Sequence, residues 1–178
     1  PGSRCSCRQR SSEPPPATPR CWAGVADAAD IHGTAIAVGG RAVLLRGRPG
    51  AGKSDLALRC LADPVGPFAA EPPVLIADDR VIATPGPTGV LIQAPDVLRG
   101  LIEVRGVGIV QVPSAPHALL MLVADLVDPA VVERMPEAQP PAVIGGIAVP
   151  VIQIAPFEAS APLKLLLALA AAIRNSPT

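Results

Sequence analysis

Eight consecutive residues, Gly47-Arg48-Pro49-Gly50-Ala51-Gly52-Lys53-Ser54, fit the pattern G-x-x-x-x-G-K-[ST]. The chemistry this pattern serves is the holding of phosphate. Glycines let the backbone turn so tightly that successive N–H groups point inward, and the positive end of a following helix adds to the field they create. Lys53 would reach the β- and γ-phosphates of a nucleoside triphosphate, and the Ser54 hydroxyl would help hold Mg²⁺. A second set of reactive groups is the pair Asp78-Asp79, which closes the apolar run Val74-Leu75-Ile76-Ala77 and precedes Arg80. Acids delivered at the end of a buried strand resemble a Walker B strand, where a carboxylate organises the metal. Two adjacent carboxylates on extended chain point in opposite directions, so one is free for the metal and the other for an acceptor. The bland alternative is a polar turn in which Asp78 or Asp79 pairs with Arg80.

These groups need elements to position them. The strand-like run Ala42-Val43-Leu44-Leu45 precedes the glycine loop, and Ser54 to Ala62 reads as a helix with Leu56, Ala57, Cys60 and Leu61 near helical spacing. Upstream, Ala35 to Val38 and Arg41 to Leu45 flank Gly39-Gly40, a hairpin signature that places His32 near one end of the strand feeding the loop. A lone histidine there is ordinarily structural. Val74 to Ala77 has the continuous apolar character of a buried parallel strand. Val81 to Thr84 and Val90 to Ile92 flank the turn Pro85-Gly86-Pro87-Thr88-Gly89 and form a second hairpin. In Leu101 to Val110 the alternation is broken by Glu103, Arg105, Gly106 and Gly108. The glycines there imply close approach of backbone to a ligand or a required positive φ. His117 to Leu126 is a mostly apolar strand candidate, Asp128-Pro129 starts a helical turn ending at Glu133 to Pro136, Ile144 to Ile154 supplies a hairpin, and Ala161 to Ile173 is a helix burying Leu165, Leu166 and Leu169.

Composition bounds the rest. A chain of 178 residues suits one domain, and 49% hydrophobic content supports a folded core. With aromatics at 2% and no tyrosine, that core is built from Ala, Val, Ile and Leu. Fifteen basic residues balance fifteen acidic ones, which removes any overall field that would draw in nucleic acid or an anionic membrane. No apolar stretch reaches the roughly 18 residues of a membrane span, the best being Leu165 to Ile173. The four cysteines, Cys5, Cys7, Cys21 and Cys60, lack metal or redox spacing and read as reduced thiols, not disulfides, of a cytoplasmic protein. Residues 1–30, rich in Pro, Ser and Arg, read as a disordered leader, residues 31–174 as the folded domain, and 175–178 as a tail.

Four motifs in order, His32-Gly33, the phosphate loop, Leu75-Ile76-Ala77-Asp78-Asp79-Arg80 and Glu103-Val104-Arg105-Gly106-Val107-Gly108-Ile109, resemble the catalytic domain of HPr kinase/phosphorylase, over roughly residues 31–174. The last of these motifs is the most particular. The resemblance is to a short form consisting of the catalytic domain alone. It implies an α/β fold: a P-loop kinase-like domain with a central mixed β-sheet flanked by helices, as in HPr kinase and PEP carboxykinase. It further implies an enzyme that uses ATP and Mg²⁺ to phosphorylate a serine of HPr, the phosphocarrier of the bacterial phosphotransferase system, with reverse phosphorolysis in many members. Carried over by residue, the loop from Gly47 through Ser54 binds the nucleotide, Ser54 and Glu103 ligate Mg²⁺ beside Asp78 on the metal side, Asp79 matches the general base, and His32 belongs to the catalytic set. Arg134 lies where the family carries a catalytic arginine.

Family members form hexamers, so a homo-hexamer is open on this reading. Two departures stand out. Pro156-Phe157-Glu158-Ala159-Ser160-Ala161-Pro162-Leu163-Lys164 replaces a basic, Gly- and Asn-containing loop linked to dephosphorylation, so phosphorolysis is expected to be weak or missing. Pro49 stands where the family commonly has Ser. The competing readings are a small-molecule P-loop kinase, which would need a lid with several arginines, and a non-catalytic nucleotide-binding regulator, which would need no base.

Overall fold

The computed structural model describes residues 28–62 and 71–176. Its larger sheet is built from β1 (Ala29–His32), β2 (Thr34–Val38), β3 (Arg41–Arg46), β4 (Val74–Ala77), β5 (Arg80–Gly86), β6 (Gly89–Gln93), β9 (Ala118–Leu126) and β12 (Val151–Ile154). Two small hairpins, β7 (Leu101–Val104) with β8 (Gly108–Gln111) and β10 (Ala142–Ile144) with β11 (Ile147–Val149), stand outside it. The helices are α1 (Lys53–Ala62) and α2 (Ala161–Asn175). The sheet order is β1-β5-β6-β9-β3-β2-β4, and β12 lies parallel to the end of β9. The pair β3 and β9 is also parallel, the rest antiparallel, so the sheet is mixed as expected.

β1 and β4 end that order at opposite edges, yet β1 runs into β2 through Gly33 alone, and β4 into β5 through Asp78 and Asp79. Both connections turn one corner together. β1 pairs with β5 and β2 with β4, and between them the Gly33 amide donates to the Asp79 carbonyl at 3.1 Å. The sheet therefore curls back on itself. A Cβ at position 33 would lie 2.8 Å from the Leu45 carbonyl oxygen, so only glycine lets this corner pack on the strand that feeds the loop.

Alternation assigns the strand side chains to two cores. Ala35, Ala37, Ala42 and Leu44 face inside the curl with Ile76, Val81 and Ile92, where small side chains make room for tight curvature. Ile36, Val43 and Leu45 face the other way and meet Leu56, Ala57 and Cys60 of α1 and Leu165 and Leu169 of α2. Among the described residues no helix is long and apolar enough to cross a membrane.

The helices and hairpins follow the predicted spans closely, and the differences have physical causes. β4 pairs antiparallel with β2, not in a parallel ladder; its one parallel contact is a bridge from Leu75 to Ser114. Burial on both faces writes a continuous apolar run whatever the direction of the partner. Leu101 to Val110, whose spacing alone is ambiguous, is a hairpin turning at Arg105-Gly106-Val107, where its alternation breaks. Gly106 and Gly108 have φ of 83° and 112° and nothing near a would-be Cβ, so positive φ is what they supply. The helical turn after Asp128 is a short 3-10 segment, Pro129–Val131, capped by the Asp128 carboxylate. Ala29 and Asp30, assigned to the leader, belong to β1, and Asn175, assigned to the tail, belongs to α2. The rest of the leader lies outside the described residues apart from Ala28.

Candidate active site

The phosphate loop occupies the turn between β3 and α1, and its glycines are required by backbone shape. Gly50 and Gly52 have φ of 78° and 90°, in the left-handed region that residues with a Cβ avoid. The Ala51 amide closes a turn on the Arg48 carbonyl at 3.0 Å, and the Leu56 amide bonds the Gly52 carbonyl at 2.9 Å to start the helix. Lys53 is buried, and its ammonium donates to the Gly47 carbonyl at 3.2 Å and to His32 Nε2 at 3.2 Å.

Asp78 is the buried centre of the site. Its Oδ1 accepts from Thr34 Oγ1 at 2.7 Å and Ser54 Oγ at 2.8 Å, and its Oδ2 from the Glu103 amide at 3.0 Å. One carboxylate thus ties together β2, α1, β4 and β7. Asp79 is its opposite. It is exposed, and with φ of 66° it is the only non-glycine residue at positive φ among the described residues. The Arg80 amide reaches back to the Asp78 carbonyl at 2.8 Å, which makes Asp79 the centre of a tight three-residue turn. The two acids are therefore separated by a turn, where an extended strand was expected. His32 Nδ1 lies 3.1 Å from both the carbonyl oxygen and Oδ1 of Asp79.

Arg80 makes no hydrogen bond or ion pair with either acid, although the nearby charge of Asp79 adds slightly to the raising of its guanidinium. It pairs with Asp30 across β1 and β5, and this hydrogen bond holds the Asp30 carboxyl below its usual range and raises the guanidinium of Arg80. The hydrogen-bonded partner of Arg80 is thus Asp30 and not Asp78 or Asp79, and the Asp79 carboxylate lies against His32.

His32, Lys53, Ser54, Asp78, Asp79 and Glu103 line one cavity of about 420 Å³, together with Pro49, Gly50 and Gly52 of the loop. Arg134 does not. It is exposed on the segment after β9, away from the cavity lining, whereas Arg105, at the tip of the β7–β8 hairpin, lines it. Three further participants escaped the sequence reading. Thr34 is wholly buried against Asp78, Arg105 was read as part of a motif without a role of its own, and Phe157 stands over Gly52. An isolated threonine and a phenylalanine in a loop carry no local signal.

The donors fit a magnesium ion. Ser54 Oγ donates its proton to Asp78 and retains its lone pairs, and Glu103 offers an exposed carboxylate at the same cavity. One hydroxyl and two carboxylates make an open set, with no ready-made cage of three or more acidic, His or Cys side chains among the described residues. Mg²⁺ is ordinarily held in this way, its remaining positions filled by water and substrate phosphates.

Fold and site together define a P-loop kinase-like domain. The chain belongs to the HPr serine kinase C-terminal domain family, whose model matches residues 23–173. It is 37% identical over 84 residues to the HPr kinase/phosphorylase of Caldicellulosiruptor bescii, covering 47% of this chain and 24% of that protein. To the HPr kinase/phosphorylase of Burkholderia lata it is 35% identical over 124 residues, covering 62% and 35%. The chain thus spans about a quarter to a third of the length of these relatives. The solved HPr(Ser) kinase/phosphatase of Coxiella burnetii superposes with a TM-score of 0.63 at 23% identity, over 83% of this chain and 89% of that one, and shares its fold.

Proposed function

We propose that this domain is an ATP- and Mg²⁺-dependent serine kinase whose acceptor is the phosphocarrier HPr, acting in the cytoplasm. The observation that carries the reading is the meeting of Lys53, His32 and Asp79 at the mouth of the phosphate loop, with Asp78 buried behind them. A serine hydroxyl is a weak nucleophile, and a carboxylate within hydrogen-bond reach takes its proton as the bond to phosphorus forms. Asp79 has the exposure this role needs, and His32 orients it from the other side. The serine oxygen attacks the γ-phosphorus, the bond to the β–γ bridging oxygen breaks, ADP leaves, and the proton passes to Asp79. Lys53 exchanges its carbonyl partners for phosphate oxygens, and Arg105 supplies a second cation over the group in transfer. Ser54, Glu103 and Asp78 would hold Mg²⁺, which neutralises charge on the phosphates when bound.

Two observations favour this over a small-molecule kinase. Arg59, Arg80 and Arg99 are committed to ion pairs with Asp55, Asp30 and Asp96, so they do not form an arginine lid. The exposed carboxylate of Asp79 also suits an acceptor presented on a protein surface. Phosphorolysis is proposed to be weak, since Pro156 to Lys164 carries only one cation, Lys164, and that is paired with Glu158. The deciding experiment incubates the protein with ATP, Mg²⁺ and HPr and looks for acid-stable phosphoserine. Asp79→Asn should lower transfer by about 10²–10⁴-fold with nucleotide affinity retained. Full activity in that variant would remove Asp79 from the role of base.

A further inference from the structure

Phe157 is the only aromatic side chain among the described residues, and it is 70% exposed. An apolar ring left in water forgoes the stabilisation of burial, so its position calls for a reason. It is not on a loose loop. Arg59, itself fixed by Asp55 at 3.0 Å, donates to the carbonyls on either side of the ring, Pro156 and Glu158. The Glu158 carbonyl also accepts the Ala161 amide at 3.0 Å, and the Glu158 carboxylate pairs with Lys164. Pro156 and Ala155 before it are buried. Three hydrogen bonds to backbone carbonyls and one side-chain ion pair thus hold the segment while the ring projects.

The ring projects over the phosphate loop. A Cβ built on Gly52 would lie 2.9 Å from ring atoms Cε1 and Cζ, so one part of the ring rests on the loop backbone and the remainder faces the cavity. The orientation of a bound triphosphate follows from the site. Its transferring end must face Asp79 and His32, so its nucleoside leaves in another direction. On the flank of α1 carrying Ser54 stand Asp78 and the Glu103 backbone; on the flank carrying Asp55 and Arg59, a quarter-turn away, stands Phe157.

We propose that Phe157 is the platform on which the nucleobase of the donor nucleotide stacks. The proposal deepens the kinase reading and rests on its choice of a nucleoside triphosphate as donor. Stacking on an aromatic face is tolerant of base identity but stronger for the larger purine ring system. ATP and GTP should therefore bind alike, and better than CTP or UTP.

The experiment compares ATP with inorganic tripolyphosphate, which has the phosphates and no base, by calorimetry in the same Mg²⁺ buffer. Phe157→Ala should weaken ATP roughly tenfold, leave tripolyphosphate unchanged and erase the preference for purines, while Phe157→Trp restores ATP affinity. Equal weakening of both ligands means the ring merely props Gly52 and overturns the proposal. Unchanged ATP affinity overturns it also, as does a loss seen only in the KM for the acceptor protein. Phe157→Leu, which keeps apolar contact with Gly52 but not the aromatic face, should behave like the alanine variant and covers the case in which alanine disturbs folding. The two readings fail separately: a protein that stacks ATP on Phe157 but makes no phosphoserine on HPr refutes the acceptor and keeps the platform.

Discussion

Lys53 Nζ lies 3.2 Å from His32 Nε2, and reading this contact as a hydrogen bond assigns the tautomer of the histidine. An ammonium can only donate, so Nε2 accepts, and the ring proton sits on Nδ1, where it points at the carbonyl and carboxylate of Asp79. The three groups form a relay of fixed direction: lysine to histidine to aspartate. A bound triphosphate that draws Lys53 onto its oxygens leaves His32 free to hold Asp79 alone.

The first prediction concerns that relay. Removing His32 leaves the loop and its lysine in place but frees the Asp79 carboxylate to rotate. His32→Ala should lower the rate of a single turnover by about 10²-fold while ATP affinity changes little. A variant that lost both in proportion would place His32 in nucleotide binding instead.

A second prediction sets activity against stability at Asp79. Holding a non-glycine residue at φ of 66° costs of order 1 kcal/mol, and the strain sits at the residue proposed as the base. Asp79→Gly should relieve it and raise Tm by about 2–4 °C while abolishing transfer. Thermal melts and the kinase assay on one preparation check both halves.

The third prediction tests the buried carboxylate. Asp78→Ala deprives the Thr34 hydroxyl of its acceptor, and a wholly buried unsatisfied donor costs about 1–3 kcal/mol by itself. Adding Thr34→Val removes the orphaned donor, so the double variant should be more stable than Asp78→Ala alone in urea unfolding. If the second substitution makes matters worse, Asp78 and Thr34 are not partners.

The fourth concerns acid. Arg80 holds the Asp30 carboxyl below its ordinary value, about 3.9 in the unfolded chain, through a hydrogen bond at the surface. A group with a depressed folded-state value stabilises the fold above the unfolded value and loses that contribution as pH falls through the folded one. An NMR titration should place the Asp30 midpoint below 3.9, and Arg80→Gln should return it to the ordinary range. The pair also ties β1 to β5 directly beside the Asp79 turn, so the same variant should broaden the Asp79 amide resonance.

Much of the site was legible before any coordinates. The glycine loop and the start of α1 are local affairs: left-handed φ at Gly50 and Gly52 and the first helical hydrogen bond, from Leu56 to Gly52, depend on residues within a few positions of one another. The hairpins at Gly39-Gly40 and Pro87-Thr88 are local for the same reason. The resemblance carried His32, Asp79 and Glu103 further than spacing does, and all three reach the cavity. Arg134 shows its limit: a thin local match placed a cation on an exposed segment, while Arg105 lines the pocket.

What the amino-acid order determined by itself was the loop, the lengths and faces of the elements, and the supply of acids at the end of β4. Tertiary structure decided how those parts meet. The direction of β4, the shared corner at Gly33 and Asp79, and the contact of His32 with a residue 47 positions away follow from which strands pair, as do the bonds from Arg59 to carbonyls 97 and 99 positions away. The reason is physical: backbone torsions and caps are set by neighbours along the chain, whereas a curled sheet brings distant residues together only once its two cores have packed.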